Sequence, residues 1–171
     1  EISMDHTIIA CTRSGAVIKD HLSPEEAAIV RRSYTHVRQV SHFNDITDDF
    51  VKITIHDPLL NCFETRKKLS RFFESVYIVA SEESWIDIAN VNVHKGTTVE
   101  HLQRILNVTP DETMAFGDGY NDIELMTRST YSFAVRNAID KLKDAANFIT
   151  RSNEEDAVLN TIIHLLSLQG K

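Results

Sequence analysis

Short apolar runs alternate with amphipathic segments along the first half of the chain. Residues 7–11 and 16–19 are apolar runs on either side of a glycine turn, and residues 50–55 alternate apolar and polar positions as a half-buried strand does. Residues 76–80 and 85–89 are typical of a hairpin. The pattern therefore predicts several strands in this part of the chain.

Two helices are predicted between these strands. The first has Ser23 as its N-cap, Pro24 at its first position and Glu26 at its third, which is a strong signal for a helix start. Apolar residues between Cys62 and Phe73 indicate the second helix. Strands and helices together predict a compact α/β unit.

A second α/β pattern follows in the second half of the chain. Residues 113–116 are mostly apolar, follow Pro110 and precede Gly117, as expected of a short buried strand in a parallel sheet. Residues 121–126 then predict a helix, and another helix is expected to begin near Thr97. The second half is therefore predicted to contain a parallel sheet with helices.

Two carboxylates, Asp118 and Asp122, follow the strand predicted in this half. Because ligand crevices of open α/β sheets lie outside the carboxyl ends of the strands, Asp118 is placed for chemistry. Asp122 is expected in the first turn of the next helix, so both carboxylates can face one crevice. Gly117 and Gly119 allow a tight turn and a close approach to a ligand.

At a separation of about 4 Å the two carboxylates would repel by roughly 4 kcal/mol at an effective dielectric near 20, so the pair needs a cation or a proton. Mg²⁺ suits it best, because this ion prefers hard oxygen ligands and is commonly bound through one or two carboxylates plus a substrate phosphate. Simpler interpretations make Asp122 a partner of the helix dipole and Asp118 a turn former. Neither accounts for the whole run.

Two better-known motifs are excluded by position. A dinucleotide-binding fingerprint that begins at Gly117 would need a glycine where Asp122 stands. A calcium-binding loop that begins at Asp118 would need a glycine where Ile123 stands and a glutamate where Ser129 stands. The carboxylate pair therefore needs another explanation.

The run Gly117–Met126, together with Lys95–Thr97, resembles the haloacid dehalogenase (HAD) superfamily of phosphohydrolases, in particular the Cof-type sugar-phosphate phosphatases. The likeness continues through residues 134–138 and 145–150, which are similar to that family's closing strands and intervening helix. Residues 1–91 show a weaker similarity, based on pattern, to the latter part of the Cof-type cap.

The resemblance implies a magnesium-dependent reaction on a phosphate ester. It implies that Asp118 binds Mg²⁺ and that Asp122 supports the water shell of the metal, which makes both of them candidate metal-site and catalytic residues. Asn121 and Lys95 are implied to contact the substrate phosphate, and Lys95 is also a candidate catalytic residue. Lys95 fits on physical grounds too, because a cation at the amino end of a helix offsets charge on the transferring phosphoryl group.

The family's nucleophile comes from an N-terminal Asp-x-Asp-Gly motif, and no Asp-x-Asp occurs in these 171 residues. The nearest candidate segment is residues 8–16, in which Thr12 and Ser14 would occupy the two aspartate positions. Either the motif is degenerate or the chain begins beyond it. The short length available before Lys95 favours the second explanation.

The predicted fold class is α/β, with residues 1–91 as most of an α/β cap and residues 92–171 as the carboxyl half of a HAD Rossmann-like parallel-sheet core. The intact enzyme is expected to hydrolyse small phosphomonoesters, such as sugar phosphates, through an aspartyl-phosphate. This chain alone is expected to be inactive without the missing N-terminal segment of the same protein. The alternative is a non-catalytic phospholigand-binding or regulatory module, in which Thr12 and Ser14 replace the aspartates.

Composition narrows the possible partners. A net charge of −7 argues against a nucleic-acid surface, which needs a basic stripe. No apolar run approaches the ~20 residues of a membrane span, and no signal peptide is evident. Cys11 and Cys62 give no disulfide pattern, which fits a reducing cytoplasm. The partner that the family resemblance implies is a small phosphorylated metabolite.

Overall fold

The computed structural model describes residues 6–170, which divide into two compact units at the boundary between Asn92 and Val93. This division lies one residue beyond the boundary predicted from the sequence. Each unit has its own sheet and its own hydrophobic core. The mixed α/β fold class is confirmed. The assignment of residues 1–91 and 92–171 to a cap and a core stays a prediction.

The first unit is built on a six-stranded mixed sheet. Its elements are β1 Thr7–Thr12, β2 Gly15–Lys19, α1 Pro24–Ser33, β3 Val37–Val40, β4 Phe50–His56, α2 Cys62–Lys68, β5 Val76–Glu82 and β6 Trp85–Asn90, with short 3-10 turns at Phe43–Asp45 and Ser70–Phe72. The strand order is β3-β2-β1-β4-β6-β5. Only β2 and β3 pair in parallel, and the other neighbours pair antiparallel.

The two helices of this unit cover opposite faces of the sheet. Ile9 packs in one cluster with Val30 of α1, whereas Ile55 packs in another cluster with Cys62 of α2. Ile9 stands opposite Thr54 in the pairing of β1 with β4, so the next residue, Ile55, points to the other face. From β2 the chain moves toward one edge of the sheet, to β3, and from β4 it moves toward the other edge, to β5. Right-handed crossovers in opposite directions place the helices of these two connections on opposite faces of the sheet.

The predicted start of α1 is confirmed, with a complete capping box. The Glu26 backbone N–H donates to Ser23 Oγ at 3.2 Å, and the Ser23 backbone N–H donates to Glu26 Oε2 at 3.0 Å. Thr7 of β1 also donates to Glu26 Oε1 at 3.1 Å, which ties the helix to the sheet. The bonds from the Ser23 backbone, and then from side chains, hold the pKa of Glu26 below its ordinary value.

We expect Glu26→Ala to destabilise the first unit by about 1 kcal/mol at pH 7, the typical cost of losing a helix cap. Because the pKa of Glu26 is lowered on folding, the ionic part of its contribution is present above its unfolded pKa of about 4.3 and is lost as pH falls through the folded value. Urea unfolding followed by the fluorescence of the single tryptophan, Trp85, measures this difference at pH 7 and at pH 3. Glu25→Ala is the control, and equal losses from both substitutions would contradict the capping role.

The single helix predicted between Cys62 and Phe73 is not continuous. Helix α2 ends at Lys68, and Leu69 follows as its C-cap, with its N–H directed at the carbonyls of Arg66 and Thr65. A 3-10 turn over Ser70–Phe72 then leads toward β5. The chain has to reverse before Val76, and the tight turn achieves this in a few residues.

The second unit is built on a three-stranded parallel sheet, in which the strands at Met114–Gly117, Tyr131–Ala134 and Phe148–Ile149 lie side by side in this order. The parallel arrangement predicted from the sequence is confirmed. The core contains Ala115, Met126, Ala134, Leu142 and Ala157, all at most 5% exposed. The elements are α3 Lys95–Leu106, β7 Met114–Gly117, α4 Ile123–Met126, β8 Tyr131–Ala134, α5 Asp140–Ala145, β9 Phe148–Ile149 and α6 Ala157–Gln169.

Within residues 6–170, every helix is too short or too polar to cross a bilayer.

Candidate active site

Asp118 lies directly beyond the carboxyl end of β7. Its neighbour Gly117 is the last residue of β7 and pairs with Ala134 of β8. The Gly117 carbonyl accepts from the Val135 N–H at 3.2 Å, and the Asp118 carbonyl accepts from the Ile139 N–H at 3.1 Å. The backbone of Asp118 is therefore fixed by the segment that follows β8.

The Asp118 side chain is exposed at this position. Its carboxylate has no hydrogen-bond or ion-pair partner among the residues that the structure describes. A fixed backbone with a free carboxylate at the rim of a parallel sheet is an arrangement suited to binding a ligand.

Asp122, in contrast, is buried, with its side chain only 5% exposed. One carboxylate oxygen, Oδ2, accepts from the backbone N–H groups of Asp118 at 3.0 Å and Gly119 at 3.3 Å. The other oxygen, Oδ1, forms an ion pair with Lys95 Nζ. The Asp122 carboxylate thus holds the loop that presents Asp118 and the lysine at the same time.

The helix predicted over residues 121–126 is shorter than expected. A 3-10 turn spans Tyr120–Asp122, and α4 follows it as a single turn, so Asp122 precedes the helix instead of lying in its first turn. The Asp122 carboxylate folds back onto the backbone N–H groups of its own loop. Asp side chains often accept hydrogen bonds from nearby backbone N–H groups in this way, which is a known reason why Asp favours turns and helix starts.

Gly117 leaves room for this fold-back. A Cβ atom at position 117 would lie 2.6 Å from Asp122 Cβ and 3.0 Å from both Cγ and Oδ2 of the same side chain. The sequence predicts that Gly117 lets a ligand approach the backbone. In the structure, the Asp122 side chain instead occupies the space that a side chain at position 117 would need.

Lys95 is the first residue of α3, two residues before the predicted start near Thr97. The N-cap is His94, whose Nδ1 accepts from the Thr97 N–H at 3.3 Å. Gly96 is buried, and a Cβ there would lie 2.5 Å from the carbonyl oxygen of Glu124. Close contact of α3 with α4 therefore brings Lys95 to Asp122.

Charges at the amino end of α3 are arranged to favour an anion. The ammonium of Lys95 adds to the positive end of the helix dipole, an unfavourable combination unless a negative group is near. Asp122 supplies that group inside the protein. The cation that the sequence pattern required beside the two carboxylates is thus provided in part by Lys95 itself.

The structure brings together the residues predicted from the sequence. Lys95, Asp118 and Asp122 are joined by the Asp122 carboxylate, and Asn121 lies half-buried in the same turn. Among the described residues, the Asn121 side chain has no hydrogen-bond partner. The contributions of His94 and Gly96 were missed by sequence reasoning. Gly96 follows Lys95 directly, but nothing in the local pattern indicates that it contacts Glu124.

Magnesium is the cofactor that the resemblance implies, and the donors of this loop fit it. Asp118 offers a free carboxylate, and Mg²⁺ is commonly held by one or two carboxylates together with waters and substrate oxygens. Both oxygens of Asp122 are engaged, which suits a role in orienting metal-bound water. In residues 6–170, no group of three or more His, Cys, Asp or Glu side chains could hold a metal ion. The metal-binding roles of Asp118 and Asp122 stay predictions.

Thr12 and Ser14 lie in the antiparallel hairpin of β1 and β2, where Thr12 pairs with Gly15. Thr12 Oγ1 donates to the Gly15 carbonyl at 3.0 Å, and Ser14 Oγ donates to Asp48 Oδ2 at 2.6 Å. Both hydroxyl groups therefore stabilise a turn in the sheet of the first unit. They do not stand at the end of a parallel strand, where the family motif places its aspartates.

Comparison with known proteins identifies the family. The sequence model of the haloacid dehalogenase-like hydrolases matches residues 2–162, which is most of the chain. The chain belongs to this family. The predicted HAD superfamily membership is thereby confirmed.

Relatives of this HAD-family chain include named phosphatases. The 5-amino-6-(5-phospho-D-ribitylamino)uracil phosphatase YbjI of Escherichia coli is 28% identical over 162 residues, which cover 93% of this chain and 59% of that protein. Phosphatase YwpJ of Bacillus subtilis is 26% identical over 147 residues, covering 83% of this chain and 52% of that protein. The chain thus spans between half and three fifths of the length of these relatives.

A solved structure with a similar fold is that of SMU.1108c from Streptococcus mutans. It superposes with a TM-score of 0.85 at 28% sequence identity and covers 95% of this chain and 62% of that protein. Both units of the chain therefore have counterparts in that structure.

Proposed function

We propose that the whole protein is a magnesium-dependent phosphatase that hydrolyses small phosphomonoesters. The observation that carries this proposal is the Asp122 carboxylate, which holds Lys95 on one oxygen and the Asp118 backbone on the other. This arrangement leaves a free carboxylate beside a positioned ammonium group. A metal ligand next to a phosphate-binding cation is what phosphoryl transfer requires, because its catalysis is largely positioning and charge stabilisation.

Each residue of the site has a separate task in this proposal. Asp118 holds the metal, Lys95 and Asn121 bind and orient the phosphate oxygens, and Asp122 keeps the other groups in place. Bound Mg²⁺ would supply Lewis-acid stabilisation of charge on the phosphoryl oxygens. The nucleophile would be an aspartate that forms an aspartyl-phosphate, supplied by a part of the protein outside these 171 residues.

The proposed substrates are small phosphorylated metabolites such as sugar phosphates. Support comes from the name of the Escherichia coli relative, which acts on a phosphorylated ribityl compound. The net charge of −7 argues against a nucleic-acid partner. Cys11 and Cys62 are both buried free thiols, which favours a reducing compartment, and we propose the cytoplasm.

A non-catalytic module is the less supported alternative. It depended on Thr12 and Ser14 standing in for the catalytic aspartates. Because both residues belong to an antiparallel hairpin of the first unit, that substitution has no structural support.

The proposal is tested by measuring Mg²⁺-dependent release of p-nitrophenol from p-nitrophenyl phosphate. We expect turnover by the whole protein that disappears with EDTA and returns with Mg²⁺, and no turnover above background by the 171-residue chain. Absence of activity from the whole protein across a panel of sugar phosphates would refute the phosphatase. Substantial turnover by the chain alone would show that the nucleophile lies within it.

A further inference from the structure

A cavity of about 280 Å³ opens in the first unit beside the turn between β1 and β2. It is close to the lower end of the ~300–1,000 Å³ typical of small-molecule pockets. Cys11 and Ala16, both buried, contribute its apolar surface together with the ring of Tyr34. The cavity is formed by residues of the first unit alone and shares none with Lys95, Asp118 or Asp122.

The lining of the cavity includes basic side chains and no acidic one; the carboxylates of Asp48 and Asp87 bond to two of its lining residues, Ser14 and Lys52. Arg13, His36 and Lys52 line it, and no carboxylate does, although the chain as a whole carries a net charge of −7. Arg13 and His36 are exposed, and neither side chain has a hydrogen-bond or ion-pair partner within residues 6–170. The cavity therefore presents unused donors that favour an anion.

A chain of hydrogen bonds holds the inner wall in place. Cys11 Sγ donates to Tyr34 Oη at 3.5 Å, and Tyr34 Oη donates to Thr54 Oγ1 at 3.2 Å. Thr54 Oγ1 donates to Asp87 Oδ1 at 2.7 Å, and Lys52 Nζ lies 2.9 Å from the same oxygen. The ring of Tyr34 and the ammonium of Lys52 are thus fixed by one network around the half-buried Asp87 carboxylate.

The rim is fixed as well. Gly15 has a φ of 137°, and a Cβ there would lie 2.5 Å from the carbonyl oxygen of His36. The Ala16 N–H donates to that same carbonyl at 2.9 Å. The turn that carries Arg13 is therefore held directly against the segment that carries His36.

We propose that this cavity binds a small organic anion, with an apolar body and a single oxyanion group, either a carboxylate or a phosphate. The apolar body would lie against Cys11, Ala16 and the Tyr34 ring. The oxyanion would pair with the guanidinium of Arg13, whose fork of N–H donors matches two oxygens. His36 and the N–H groups of Lys52 that do not bond Asp87 would donate further hydrogen bonds to the oxyanion. This proposal does not rest on the phosphatase function proposed above.

The test is an NMR titration of the 171-residue chain with benzoate and with phenyl phosphate, which carry the same ring and different oxyanions. We expect saturable shifts of the backbone amides of residues 13–16 and 35–36 with at least one of the two probes. Benzyl alcohol, which keeps the ring and lacks the charge, should bind at least 10-fold more weakly. The probe that binds more tightly identifies the preferred oxyanion.

A matched pair of variants decides whether the cavity is responsible for the binding of the probes. Arg13→Gln should weaken binding at least 10-fold, whereas Arg31→Gln, which removes the same charge from an exposed position on α1, should leave it unchanged. Three results would overturn the site: no saturable shift with either probe, equal affinity for benzyl alcohol, or equal affinity in both variants. Shifts confined to the loop at 117–122 count as no shift at this cavity and therefore overturn it as well.

Discussion

Asp118→Asn is expected to lower kcat/KM of the whole protein for p-nitrophenyl phosphate by about 10²-fold or more. The substitution removes one negative charge from the free carboxylate at the end of β7 and keeps its size. Losses of this order follow when a single group that stabilises transition-state charge is removed. Because the side chain is exposed and unpartnered among the described residues, stability should change by less than about 0.5 kcal/mol.

The measurement is steady-state kinetics across a range of Mg²⁺ concentrations, together with thermal unfolding. Asp144→Asn is the matched control, since Asp144 is another exposed aspartate of the second unit, on α5, and its side chain is likewise unpartnered among the described residues. We expect the Mg²⁺ concentration for half-maximal activity to rise only in Asp118→Asn. An unchanged Mg²⁺ dependence and unchanged rate in that variant would remove Asp118 from the proposed mechanism.

Gly117→Ala is expected to cost about 1–3 kcal/mol of stability in the second unit, the usual range for overpacking. The added Cβ would lie 2.6 Å from Asp122 Cβ, a backbone-proximal atom that cannot rotate away. Either β7 or the turn at Tyr120–Asp122 must move, and the bonds from Asp122 to the loop amides lengthen. Activity of the whole protein should fall about 10²-fold, because a displacement near 1 Å is enough for such a loss.

Hydrogen exchange provides the direct measurement for this variant. The amides of Asp118 and Gly119, which donate to Asp122 Oδ2, should lose protection in Gly117→Ala. Gly170→Ala is the control, because a Cβ there meets only the Leu166 carbonyl at 3.9 Å. Protection and stability equal to those of the control would mean that the close packing of Gly117 on Asp122 is unimportant.

Features encoded within a few neighbouring residues were predictable from the sequence. The start of α1 depends on Ser23, Pro24 and Glu26, and all three act as the pattern predicts. Strand β7 was expected at residues 113–116 and lies at Met114–Gly117, because the apolar run is bounded by Pro110 and by a glycine. The position of Asp118 at the end of a parallel strand followed directly from that strand.

Features that depend on distant contacts were not predictable. Lys95 and Asp122 are 27 residues apart, and the pattern of carboxylates is equally compatible with a metal ion or with a lysine as counter-ion. The contact of Gly96 with Glu124 leaves no periodic signal in either helix. His94 is an unusual N-cap, because Ser, Thr, Asp and Asn are the residues usually favoured there.

An anion that approaches the amino end of α3 meets a lysine that already has a counter-ion within the protein. To gain the full attraction of Lys95, it has to displace or share the contact with Asp122, and leaving a buried carboxylate unpaired is costly. Chloride and other monoanions gain less from this exchange than a phosphate dianion does, since the attraction scales with charge. In the proposed phosphatase we therefore expect the ion pair to favour a phosphate dianion over weakly charged competitors at this position.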